Sequence, residues 1–300
     1  MTDAHHRHML RGIGLLLAAV FMFSSMDTLA KYVLQSYPMG GLMWARYMVH
    51  MTVMLLLLWP RMGLGLVRTR NPGLQILRGL LLVASTMFFY FWLRRLPLAE
   101  AAAISFIGPV LTTLLAGWVL KEHASARQWF AVVLGFAGVL IIVRPGGGLF
   151  TPAAVFPLCT ALLFSCYQIV TRKLSGREHP YTTLFYTALV GGAVTTLALP
   201  WSWQEPTWLQ ALFMVGIGVF GGYGHYLLIR AMDHASPTTL APFVYSQLVW
   251  STLLAYLVFR EFPDRGSLIG MAVVVAAGLL AVNWEHMRRK SDTADQAAPH

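Results

Sequence analysis

The sequence predicts an all-α polytopic membrane protein, with ten transmembrane helices arranged as two inverted five-helix repeats. Three observations carry that class. Apolar residues make up 57% of the 300 positions, while Asp, Glu, Lys and Arg make up 11%. Soluble domains hold about 45–50% apolar and about 25% charged residues, so this chain lacks the polar residues to cover a water-facing surface. The apolar residues fall into ten runs, each near the length of about 20 residues that crosses a bilayer as a helix. Finally, two blocks of the first half recur in the second. Mean hydropathy is +0.61. A cytosolic enzyme, a disordered chain and a nucleic-acid binder are excluded as first readings.

The runs follow one another with short connectors. Residues 1–11 form a cytoplasmic N-terminal tail, in which His5, His6 and His8 read as solvated side chains and not as metal ligands. The first span, 12–34, follows Arg7 and Arg11 like a secretory signal, but no small-x-small cleavage site follows it. It therefore reads as a retained span. The second is 40–59, after Pro38, and the third is 74–93, after the Asn71-Pro72-Gly73 turn. Pro97 precedes the fourth, 98–120, and Ser125 with Gln128 forms a capping box opening the fifth, 127–143. A breaker run from Pro145 to Gly148 separates the halves. The remaining spans are 152–171, 181–199, 208–229, 237–259 and 266–284, and a polar tail, 285–300, follows. Cys159 and Cys166 lie seven apart in one run. On a helix that is a rise of about 10 Å, too far for a disulfide.

The net charge of +10 comes from scattered basic residues, which in a membrane protein set orientation. With the N-terminus cytoplasmic, inner segments carry 14 Lys and Arg, outer segments carry 5, and Lys31, Arg46 and Arg78 lie within spans. Both termini are therefore expected inside, with Arg94–Arg95 as a local exception.

FSSMDTLAK (23–31) matches FSCYQIVTR (164–172) at an offset of 141, pairing Ser24 with Ser165, Asp27 with Gln168 and Lys31 with Arg172. TLLAGWVLKE (113–122) matches TLLAYLVFRE (252–261) at an offset of 139. The repeats thus cover 12–143 and 152–284, with five spans each. Five is odd, so the second copy must enter the membrane upside down, the arrangement of many secondary transporters.

The residues from Ile104-Ser105-Phe106 to Ala116, the acidic helix ends Glu122 and Glu261, and the segment 224–264 resemble the drug/metabolite transporter superfamily in its EamA branch. The resemblance spans roughly residues 11–284. It implies a multi-pass carrier in a bacterial inner membrane. It also implies a central cavity lined by spans 1, 3, 4, 6, 8 and 9, and substrates such as amino acids, vitamins or nucleoside-like compounds.

Polar groups within spans are costly and tend to face a cavity or a partner. Ser24, Asp27, Thr28 and Lys31 share one face of the first span. Asp27 could meet a substrate amine or a proton, or it could simply pair with Lys31. In the second span, Arg46 and His50 share a face, and Arg46 could grip a carboxylate or phosphate or reach the headgroups. His225 lies among Gly221, Gly222 and Gly224, beside Tyr223 and Tyr226. It could sense pH or bond a neighbouring helix. Tyr90, Ser105, Tyr167, Gln168, Tyr245 and Gln247 place polar tips on apolar walls, as an amphipathic ligand requires. These twelve residues, Ser24, Asp27, Lys31, Arg46, Tyr90, Ser105, Tyr167, Gln168, Tyr223, His225, Tyr245 and Gln247, form the expected substrate site. No catalytic or metal-binding residue and no cofactor is expected.

The expected function is alternating-access transport of small organic metabolites by a monomer or homodimer. Its partners are its substrate and membrane lipids, with proton coupling. The alternative is a membrane-embedded enzyme acting on a lipid or hydrophobic substrate.

Overall fold

The computed structural model describes residues 2–94, 107–122, 124–143 and 155–260, with scattered residues between 265 and 280. Among the described residues every regular element is helical. α1 (Thr2–Leu34), α2 (Met39–Met62) and α3 (Pro72–Leu93) fill the first three expected spans. α4 (Gly108–Leu115) continues through a wider turn, Ala116–Leu120, and α5 (Ala126–Val143) follows. The second half holds α6 (Val155–Leu174), α7 (Pro180–Ala198) and α8 (Trp208–His234). The ninth expected span is split at Tyr245 into α9 (Pro237–Val244) and α10 (Ser246–Phe259). Among the described residues, six helical stretches are long and apolar enough to cross a bilayer: Arg7–Leu34, Met39–Leu66, Pro72–Leu93, Pro180–Trp201, Trp208–His234 and Pro237–Phe259. Most of the expected tenth span, Ser105, Glu261 and the C-terminal tail lie outside the described residues.

Local chemistry explains several boundaries. The Ser125–Gln128 box is formed: Gln128 N donates to Ser125 Oγ at 3.2 Å, and Ser125 N to Gln128 Oε1 at 2.8 Å. Thr207 and Gln210 make a second such box at the start of α8, with the same residue spacing. Proline in the first turn opens α3, α7 and α9, where its missing N–H costs nothing. At the N-terminus, helix α1 begins at Thr2, ahead of the first expected span. Met9 and Ile13 are buried, and His8 stacks on His234 at 5.2 Å.

α1 lies along α8, α3 along α6, and α2 against both α7 and α8. Gly218 makes the α2–α8 approach close, since a Cβ there would stand 2.5 Å from Cβ of Val49. Outward faces remain apolar, with Leu56, Leu57 and Leu197 exposed, as lipid contact requires. Trp201, Trp203 and Trp208 cluster exposed near one end of the bundle, the usual place for interfacial indoles.

The sequence repeat reappears as matching contacts. Ser24 Oγ donates to the carbonyl of Gln247 at 3.2 Å, and Ser165 Oγ to the carbonyl of Gly108 at 3.1 Å. The serines are 141 residues apart and the carbonyls 139, the two sequence offsets. Lys121 and Arg260, also 139 apart, both end helices in the left-handed region, at φ 58° and 59°.

A loop clasp joins the halves at the α2–α3 connector. Glu178 Oε1 accepts from Arg70 N at 2.9 Å and from Asn71 Nδ2 at 2.8 Å. Partial burial pushes the Glu178 carboxyl upward, but these hydrogen bonds outweigh it and hold the group below the usual range.

Candidate functional site

A cavity of about 140 Å³ lies inside the bundle. Phe23, Met26, Leu82, Phe89, Phe164 and Val244 form its apolar walls; Asp27, Arg46, Gln168, His225, Gln247 and Ser251 are among its polar ones. The family resemblance omitted the second span, which supplies Arg46 here.

Asp27 is 5% exposed. Its Oδ2 accepts from Gln247 Nε2 at 3.4 Å, and its Oδ1 has no hydrogen-bond partner among the described residues. A buried carboxylate oxygen left open beside a cavity is a costly arrangement unless something in the cavity meets it. Arg46 is equally buried. Its Nη1 reaches Thr86 Oγ1 at 3.4 Å and the Tyr90 hydroxyl at 3.5 Å, both long contacts. Its Nη2 lies 3.2 Å from His225 Nε2. The guanidinium also lies over the Tyr47 and Tyr90 rings.

Behind Arg46 runs a chain of polar groups. His225 Nδ1 is 3.0 Å from the Tyr167 hydroxyl, which accepts from Arg78 Nη2 at 2.6 Å. Arg78 is fully buried. Its Nε donates to Thr171 Oγ1 at 2.8 Å, and its Nη1 to the Thr183 carbonyl and Thr187 Oγ1. Every nitrogen of Arg78 is thereby engaged. Arg46, by contrast, has donor capacity left for a ligand. The chain links α2, α8, α6 and α3, so it ties both repeats together.

The remaining expected residues divide. Gln168 and Gln247 border the cavity, and Tyr90 and Tyr167 support its arginines. Ser24 is wholly buried against the ninth span, where it bonds the Gln247 carbonyl and receives Ser251 Oγ at 3.2 Å. Lys31 lies over the Phe259 ring, 5.1 Å from its centroid, and does not border the cavity. Tyr245 packs its ring against Gly135, where a Cβ would stand 2.4 Å from it. Tyr223 is 53% exposed and faces a groove on the outside of the bundle. Lys31, Tyr245 and Tyr223 thus do not border this cavity in the structure. Their helix positions permitted the cavity, but packing turned those faces elsewhere. Arg78 was missed, although its charge inside a span was the available signal.

Two matched segments, 10–144 and 151–283, fit the EamA-like transporter family model, which covers nearly the whole chain. The chain belongs to the EamA-like transporter family. Among its EamA-like relatives is an S-adenosylmethionine uptake transporter of Rickettsia bellii, 29% identical over 95% of this chain and 97% of that protein. A riboflavin transporter of Vibrio cholerae is 25% identical over 97% of this chain and 99% of its own length. The pseudopaline exporter CntI of Pseudomonas aeruginosa is 27% identical over 89% and 94%. One crystal structure superposes with a TM-score of 0.77 over 93% of this chain and 98% of the other, at 22% identity, which speaks to the fold alone.

Proposed function

We propose that this EamA-like protein is a secondary carrier of small zwitterionic metabolites, amino acids or their derivatives. One observation carries the reading: an open buried carboxylate oxygen on Asp27 and an under-satisfied guanidinium on Arg46 border the same cavity. Asp27 would take the substrate's ammonium, and Arg46 its carboxylate. Phe23, Phe89 and Phe164 would hold an apolar or planar remainder. The relatives named for S-adenosylmethionine, riboflavin and pseudopaline support small organic cargo.

Ten spans in two inverted repeats remain the proposed architecture, supported by the matched serine bonds and matched left-handed helix ends. In this arrangement the Arg172 end of the bundle is cytoplasmic. There Arg172 Nε pairs with Glu122 at 3.0 Å, and Ser175 Oγ donates to Asp233 at 2.7 Å. These contacts would part when the cavity opens inward.

The test is uptake of labelled S-adenosylmethionine into proteoliposomes, with amino acids, riboflavin and nucleosides as competitors. Asp27→Asn and Arg46→Gln should each raise the apparent KM by about 10–100-fold, the value of one charge-assisted hydrogen bond. Competitors lacking the ammonium should be insensitive to Asp27→Asn. Normal transport by both variants would remove the zwitterion reading. Reporter fusions should read outside after residues 35 and 203, and inside near 65 and after 288.

A further inference from the structure

We propose that a groove between α2, α7 and α8 binds one anionic glycerophospholipid from the leaflet on the Arg61 side. The groove is separate from the central cavity and larger, about 400 Å³. Val53, Leu57 and Leu58 of α2 face Leu184 of α7 across it, and Gly218, Val219 and Gly222 of α8 complete it.

Its length fits one leaflet. It runs along α2 from His50 to Arg61, a helical rise of about 16 Å, against about 15 Å for half the hydrocarbon core. Between His50 at one end and Arg61 with the tyrosines at the other, aliphatic side chains and glycines line the trough, so an acyl chain is its natural filling. Charge then selects the headgroup. The shallow end carries the exposed Arg61, with Tyr181 and Tyr226 stacked at 5.3 Å. No acidic residue lines the groove among the described residues. A phosphate diester would sit at Arg61 with the phenol hydroxyls beside it.

The deep end explains why occupancy matters. His50 is 4% exposed there, and its Nε2 has no hydrogen-bond partner among the described residues. Its ring lies where a Cβ on Gly222 would come within 2.8 Å. His50 stands one turn from Arg46, and Gly222 three residues before His225. A chain filling the trough presses on the same α2–α8 seam that holds the Arg46–His225 bond.

Melting of the detergent-purified protein, titrated with phosphatidylglycerol or phosphatidylcholine, tests this. Phosphatidylglycerol should raise the melting temperature by about 2–4 °C more than phosphatidylcholine. Arg61→Ala should abolish that difference, while Arg68→Ala, outside the groove, should keep it. Val219→Trp, which fills the trough, should abolish stabilisation by both lipids. Native mass spectrometry should retain one phosphatidylglycerol on the wild type and none on Arg61→Ala, which decides the matter even if Val219→Trp fails to fold. Equal shifts by the two lipids, or a full difference retained by Arg61→Ala, would overturn the proposal. So would an equal shift by inorganic phosphate alone, which would mark a site for soluble anions.

Discussion

Nη2 of Arg46 stands 3.2 Å from Nε2 of His225. A guanidinium has no acceptor, so Nε2 must accept and the ring proton must sit on Nδ1. From there it points at the Tyr167 oxygen, 3.0 Å away, which also accepts from Arg78. His225 is therefore a neutral spacer between two arginines, and a second ring proton would set donor against donor. Of the two roles open to it in the sequence, the bond to a neighbouring helix is the one its geometry supports.

His225→Phe should destabilise the protein by about 1–3 kcal/mol, because it leaves two buried polar groups short of a partner. His225→Gln should recover part of this, since an amide can accept from Arg46 and donate to Tyr167. Thermal melts of the purified variants check both. Equal melting of wild type and His225→Phe would show that the spacer is dispensable.

Ser24 and Ser165 make equivalent bonds in the two repeats. Ser24→Ala and Ser165→Ala should each cost about 1 kcal/mol, and their costs should add in the double variant, because they share no partner. A several-fold inequality would mean that the repeats no longer use the bond alike.

Gly218 lies against Val49 and the Arg46 carbonyl. Gly218→Val should cost about 1–3 kcal/mol by overpacking and should displace Arg46, lowering affinity as well as stability. A Cβ at Gly73 would meet no other described residue within 4 Å, so Gly73→Ala should leave transport unchanged. Thermal melts paired with a transport assay separate the two outcomes.

Glu178 sits outside the spans, and its loop hydrogen bonds hold its carboxyl low in the folded protein. A depressed acid stabilises the fold above its unfolded pKa, and that contribution is lost as pH falls through the folded value. Glu178→Gln should therefore melt slightly below wild type near pH 7, with the gap closing below about pH 4. The effect stays small because the group is only partly buried. A gap that widens in acid would contradict this sign.

The sequence by itself determined what local chemistry and gross composition can determine. Apolar runs near bilayer length marked the helices, because an unpaired backbone cannot lie in hydrocarbon. The Ser125–Gln128 box and the opening prolines marked several helix starts, because capping involves residues within one turn. The two repeat offsets were legible as well, and they later proved to join equivalent hydrogen bonds. What only the tertiary structure decided was which face of each helix turns inward. In water an apolar stripe would show this, but these helices are apolar over most of their circumference. The polar face of α1 thus concealed three fates: Ser24 bonded to a neighbouring span, Asp27 opening on the cavity, and Lys31 over a phenyl ring. Arg78 became the fully bonded support and Arg46 the incompletely bonded one through contacts with residues up to about 180 positions away. Such distances carry no local signal, and close packing alone selects among the faces.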